Sequence, residues 1–186
     1  MEATIRQATA DDAPALAELA AVTFPLACPP DSPAAEISAF VAANLSTQAF
    51  AKYLADPSRI LFVAEETAVD GAGHLLAYTM LVDSPPSDAD VAAVSDPDAV
   101  ELSKCYAHPD VHGGSISRDI MQASLGWITE HGNRQAWLGV NSENLRAQRF
   151  YGKHGFSVAG TRSFQLGKRV EHDYVMVRPG RKSTTG

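Results

Sequence analysis

The chain has only two cysteines, Cys28 and Cys105, far apart and outside any CxxC or Cys/His cluster. That leaves no basis for a disulfide framework or a structural zinc site. It has no apolar run of bilayer-spanning length, and Met1 to Arg6 lacks the apolar core of a signal peptide. A cytoplasmic location with no membrane partner is therefore expected. Basic residues are scarce as well: the formal net charge of -7 argues against a nucleic-acid partner, because phosphate neutralisation needs a basic face. The same charge leaves room for a cationic small substrate. The histidines at 74, 108, 131, 154 and 172 are scattered. His108 and His112 have suggestive spacing, but Pro109 intervenes and a third ligand is lacking, so no metal is expected.

What is present suits one domain. At 186 residues, 45% hydrophobic and 20% charged, the chain can bury an ordinary core. Residues 1–178 read as that domain and 179–186 as a flexible tail. Thr4 to Ala8 reads as a strand, and Thr9 with Asp12 resembles a capping box opening a helix with Ala13, Leu16, Leu19, Ala20 and Thr23 at helical spacing. Phe24-Pro25 through Pro33 reads as a break. Glu36 to Ala55 reads as one or two helices, and Ile60–Glu65 and His74–Val82 as strands joined by the hairpin signal Asp70-Gly71-Ala72-Gly73. Ser84 to Asp98 reads as a loop with a short helical turn near Val91 to Val94. Ser157–Leu166 and His172–Val177 close the domain as strands around Gly167. Hairpins mixed with crossover helices imply an α/β fold, with a mixed sheet covered by helices on both faces.

The most telling stretch runs from Glu101 to Phe156. Val100 to Ala107 reads as a strand, and His112-Gly113-Gly114-Ser115-Ile116-Ser117 opens a helix with Ile116, Ile120, Ala123 and Trp127 on one face. Backbone N–H groups at a helix N-terminus are unpaired and carry the positive end of the dipole, so small residues there form a phosphate cradle. A second strand, Ala136 to Val140, leads into Asn144-Leu145-Arg146-Ala147-Gln148-Arg149-Phe150-Tyr151 and then Gly155-Phe156.

These residues match a family. Glu101 to Ala107 followed by HGGSIS resembles the acetyl-CoA site of the GNAT family of N-acetyltransferases, whose pattern there is Q/R-x-x-G-x-G/A; NLRAQRFYGKHGF resembles its N-x-x-A-x-x-F/L-Y followed by G-F. The C-terminal stretch is similar in particular to PaiA-like members associated with polyamine acetylation. The departures are His112 for Gln or Arg, and Ser115 and Ser117 for the small residues of the pattern. The resemblance implies a central mixed, mostly antiparallel, splayed sheet with helices on both faces, and acetyl-CoA as co-substrate. It implies that Cys105, Tyr106 and Ala107 meet the pantetheine and thioester through their backbone. His112, Gly113, Gly114, Ser115, Ile116 and Ser117 would hold the pyrophosphate and Asn144 the pantetheine arm. Tyr151 would be the acid that protonates the thiolate, and Glu101 the base, acting through water.

The implied reaction is N-acetyl transfer to a primary amine by direct attack in a ternary complex, with a polyamine or another small amine as acceptor. The alternatives are a catalytically weak acyl-CoA sensor on the same fold, or an acetyltransferase acting on protein N-termini or lysines. Pairing through the C-terminal strands would give a homodimer. Two other motif readings fail. Gly113-Gly114-Ser115-Ile116-Ser117 lacks the last Gly of a G-x-S-x-G elbow, with no His after Asp173 to complete a triad, and no G-x-G-x-x-G is present.

Overall fold

A computed structural model describes residues 2–68, 71 and 73–180. Seven strands form one sheet in the order β1-β2-β3-β4-β5-β7-β6, from β1 (Ala3–Gln7), β2 (Arg59–Thr67), β3 (Gly73–Val82), β4 (Val100–Ala107), β5 (Ala136–Asn141), β6 (Ser157–Leu166) and β7 (Arg169–Arg178). Every pairing is antiparallel except β4 with β5. The mixed, mostly antiparallel sheet expected above is present. Asp70 and Ala72 of the expected hairpin, and the tail from 181, lie outside the described residues.

Six α-helices accompany the sheet among the described residues: α1 (Ala13–Ala27), α2 (Ala34–Asn44), α3 (Thr47–Ala55), α4 (Ala89–Ala92), α5 (Ser115–Glu130) and α6 (Leu145–Lys153). The Thr9/Asp12 capping box forms, with the Thr9 N–H donating to Asp12 Oδ2 at 2.7 Å. A 3₁₀ turn over Ala10–Asp12 intervenes before α1 begins. The break expected at Phe24-Pro25 comes later, at Cys28. Pro25 sits in the last turn of α1, where losing one N–H removes a single terminal hydrogen bond and the helix runs on to Ala27. The span from Glu36 to Ala55 resolves into two helices, because Ser46 caps α3 by accepting from the Ala49 N–H at 3.1 Å.

The sheet separates two cores. On one face Leu16, Leu19 and Ala20 of α1 and Phe50 of α3 pack on Leu61, Val63, Tyr78 and Met80. On the other, Met121, Leu125 and Ile128 of α5 pack on Leu81, Leu102 and Leu138, while Ile116 and Ile120 meet Ala64, Leu76 and Ala77. The inward stripe of α5 is thus Ile116, Ile120, Met121, Ser124, Leu125 and Ile128. Ala123 and Trp127, expected on that stripe, are only partly buried, and Trp127 stacks on His131 with ring centroids 4.0 Å apart. A core-facing helix needs a stripe wider than an i, i+4, i+7 line, and its centre lies one position away from Ala123 and Trp127.

Candidate active site

The site begins with an extra residue in β4. Between Met80 and Leu81 of β3 the register slips, so that Lys104 opposes Met80 while Leu102 opposes Leu81. Ser103 is therefore a β-bulge. Side chains on a strand alternate between faces, and one inserted residue reverses that alternation. Val82, Met80 and Tyr78 belong to the core under α1 and α3, so their partners Glu101, Lys104 and Tyr106 share that face. Leu102 and Cys105 pack in the core beneath α5.

Beyond the bulge the sheet opens. β4 and β5 pair only at Val100↔Ala136 and Glu101↔Trp137, while β5 stays on β7 as far as Asn141↔Asp173. From Leu102 onward the β5-facing edge of β4 has no strand partner among the described residues. The gap widens into a cleft of about 1180 Å³ that reaches both faces of the sheet. Its lining includes Glu101, Cys105, Tyr106, Ala107, His112, Gly113, Gly114, Ser115, Ser117, Asn144 and Tyr151. Of the residues expected at the site, Ile116 alone is not in that lining; its side chain is 8% exposed and belongs to the core, leaving its backbone N–H for the cradle.

The cradle joins a 3₁₀ turn over Pro109–Val111 to α5. His112 closes it backward, with Nε2 2.8 Å from the Ala107 carbonyl oxygen. Gly113 has φ +77°, in the left-handed region that favours glycine, and a side chain there would meet nothing within 4 Å. Gly114 caps α5 without a side-chain hydrogen bond. The N–H groups of Ser115, Ile116 and Ser117 have no partner from the helix itself. Both serines lie inside the right-handed helix, so neither needs an unusual backbone angle.

Two side chains of the α6 region converge on β4. Asn144 caps α6, its Oδ1 accepting from the Ala147 N–H at 3.1 Å, which leaves its amide Nδ2 as a donor at the cleft. The Tyr151 hydroxyl lies beside the Cys105 thiol, close enough for each to shift the other's titration. Burial first, and then Cys105 and Tyr106, push the Tyr151 hydroxyl well above its ordinary value, so it is a neutral proton donor. Burial also pushes the Cys105 thiol up to about 12, which makes it inert rather than nucleophilic.

The cleft has two electrostatic ends. Arg118 of α5 and Arg146, Arg149 and Lys153 of α6 line it near the cradle, whereas Glu101, Glu171 and Asp173 line it with Lys104 and Arg162 on the α1 side. Burial raises Glu101 above the usual carboxylate range, opposed by Arg162, Lys104 and Arg59. Burial likewise raises Asp173 despite the Arg162 guanidinium 3.5 Å away. Glu171 Oε1 is buried without a hydrogen-bond partner among the described residues, its ion pair with Arg169 being long at 3.7 Å. The Lys104 ammonium falls to about 8, through burial and Arg59 and against Glu101. Arg162 packs over Gly139, where even a methyl group would collide with the guanidinium. Apart from Glu101, these charges escaped sequence reasoning because the face of Lys104 depends on the bulge, and Arg162, Glu171 and Asp173 reach the cleft through strand pairing. The basic residues of α6 carried a detectable signal: Arg146, Arg149 and Lys153 recur at helical spacing inside the motif.

Comparisons with known proteins agree with this geometry. A family model described as "Acetyltransferase (GNAT) family" matches residues 15–156. Two uncharacterised N-acetyltransferases, from Mycobacterium bovis and Mycobacterium tuberculosis, are each 44% identical over 167 residues, covering 90% of this chain and 97% of theirs. Among solved structures, the PaiA N-acetyltransferase of Thermoplasma acidophilum, in complex with coenzyme A, superposes with a TM-score of 0.72 at 17% identity, covering 96% of this chain and 99% of that one. A second, yncA of Salmonella typhimurium with acetyl-CoA, superposes with a TM-score of 0.64 at 20% identity, covering 100% of this chain and 98% of that one.

Proposed function

The chain belongs to the GNAT family of acetyltransferases, and from that premise we propose that it acetylates a small primary amine by direct attack on acetyl-CoA in a ternary complex. It is an N-acetyltransferase with acetyl-CoA as co-substrate. The observation that carries the mechanism is the strand gap, in which the unpaired edge of β4 lies between a helix N-terminus on one side and a carboxylate cluster on the other.

The parts divide as follows. The cradle N–H groups of Ser115, Ile116 and Ser117 hold the pyrophosphate, assisted by the basic side chains around them. The free edge of β4 at Cys105, Tyr106 and Ala107 pairs with the pantetheine as a strand would, and Asn144 donates to it. An alkyl ammonium, with a pKa of about 10, must lose a proton before it attacks. Glu101 takes that proton through water, and its raised pKa strengthens it as a base. Attack on the thioester carbonyl develops an oxyanion, which a main-chain N–H of the Cys105 to Ala107 segment stabilises. Collapse expels the thiolate while the nitrogen gives up its second proton to water, and Tyr151, neutral and adjacent to Cys105, protonates the thiolate.

A polyamine stands first among the acceptors. What supports it is the three carboxylates at the acceptor end, with one Glu171 oxygen still lacking a donor. The test is free-thiol release from acetyl-CoA across a panel of polyamines, other amines and peptides, run beside thermal stabilisation by acetyl-CoA. Stabilisation without thiol release on any acceptor favours the sensor reading. Release with peptides alone moves the acceptor to protein, and no CoA-dependent stabilisation at all overturns the proposal.

A further inference from the structure

Lys104 is a primary amine fixed inside the cleft, and the mechanism above does not use it. The bulge at Ser103 turns it onto the face of Glu101, and it adjoins Cys105, whose backbone the proposed mechanism places at the thioester. It is half-buried and lines the cleft. Its Nζ makes no hydrogen bond or salt bridge among the described residues, and its nearest described aromatic contact is the Tyr53 ring, 5.6 Å away at the centroid. Around that ammonium stand Glu101, Arg59 and Tyr53, and Arg59 also lies over the Tyr53 ring, at 4.9 Å. A cation with no acceptor of its own, crowded by a second cation and held in a half-buried site, is stabilised only weakly in its charged form.

We propose that Lys104 is an acetylation site of this protein, modified in its own cleft when no free amine competes. The inference rests on the acetyl transfer proposed above and adds a modification site to it. Lys104 has what the reaction demands of an acceptor: a primary amine, the neighbouring carboxylate Glu101 to take its proton, and a four-carbon stem whose rotamers sweep the acceptor end of the cleft. In the step, the Nζ lone pair forms a C–N bond to the acetyl carbonyl, the C–S bond breaks, and CoA leaves as the thiol. Nζ sheds two protons, one to Glu101 and on to solvent before attack and the second to solvent as the tetrahedral adduct collapses; the Tyr151 proton goes to sulfur and is replaced from solvent. The product amide carries no charge. It removes the cation over Tyr53, withdraws one of the charges that favour ionised Glu101, and leaves an acetyl group in the acceptor's space, so the modified enzyme turns over free amines more slowly.

The five lysines, Lys52, Lys104, Lys153, Lys168 and Lys182, supply an internal control. Spontaneous acetylation favours exposed amines, and Lys52, Lys153 and Lys168 are exposed. The full chain is incubated with acetyl-CoA without added amine, and acetyl groups are mapped by peptide mass spectrometry over time, folded and in urea. Lys104 should gain acetyl about tenfold faster than the exposed lysines in the folded chain, as an amine held beside the thioester does, and lose that preference in urea. Preincubation with acetyl-CoA should progressively slow later amine turnover by the native chain, each variant being compared with its own untreated rate, and should not slow Lys104→Arg. Exposed lysines reacting as fast as Lys104 overturn the inference; should Lys104→Arg fail to fold, the map on the native chain decides alone. Thiol release with free amines but an unmodified Lys104 overturns this inference and leaves the proposed function standing. Absence of both overturns the two together.

Discussion

Gly113→Ala isolates the backbone of the cradle from its side chains. Gly113 holds φ +77° with open space where a methyl group would go, so the substitution introduces strain and no collision. An L-residue in the left-handed region costs about 1–2 kcal/mol. The reduced freedom of the unfolded chain returns about 0.4–1 kcal/mol, leaving a net loss of about 1 kcal/mol. For a chain of this size that lowers Tm by about 2–4 °C. The apo cradle can also escape the strain by rearranging, in which case acetyl-CoA must restore it, and affinity falls by up to about fivefold. Ser115→Ala is the companion. Ser115 is the first residue of α5, in right-handed geometry, so removal of its hydroxyl should change stability by less than about 0.5 kcal/mol and affinity little. Thermal unfolding and calorimetric titration with acetyl-CoA read both. If Gly113→Ala is as stable and binds as tightly as the native chain, or Ser115→Ala weakens binding more, then the left-handed turn and its backbone donors are not what holds the phosphate.

Tyr151→Phe should lower kcat by about 10²-fold or more, the usual contribution of a positioned acid, with acetyl-CoA affinity nearly unchanged; steady-state kinetics with calorimetry would show an unchanged rate if Tyr151 were not the acid. Glu101→Gln should abolish the rise of kcat/KM that accompanies ionisation of Glu101. Because burial raises that group, the native rise should lie above the ordinary carboxylate range, and an identical profile in the variant would remove Glu101 as base. Asp12 is held below its ordinary range chiefly by its hydrogen bond to Arg6, in a bidentate pair at 2.8 and 2.8 Å. A depressed carboxylate contributes stability above its unfolded pKa of about 3.9 and loses it as pH falls through the folded value. Asp12→Asn should therefore destabilise at pH 7 and narrow its difference from the native chain below pH 4, as read by Tm against pH.

Local chemistry made much of the fold legible. Thr9 and Asp12 announced the start of the first helical segment, the apolar runs announced the strands, and Gly113 with its neighbours announced the cradle, because capping, alternation and left-handed turns are decided within a few residues. Pro25 misled because the effect of a proline depends on how many turns follow it. Ala123 and Trp127 lie at the margin of the buried stripe rather than at its centre, Trp127 still packing against the core beneath α5, because the width of such a stripe is set by the sheet beneath it.

By itself, the sequence determined the order of elements, the family, and the string of residues from Glu101 to Tyr151 that bounds the cleft. Only the tertiary structure decided which side chains share that cleft. Ser103 looks like any strand residue until β3 pairs against β4 and leaves it over. That one unpaired residue reverses the alternation, brings Lys104 to the face of Glu101, and accompanies the parting of β4 from β5. Arg162, Glu171 and Asp173 complete the acceptor end from strands more than fifty residues away in the chain, because register, a property of pairs of strands, is written in neither strand alone.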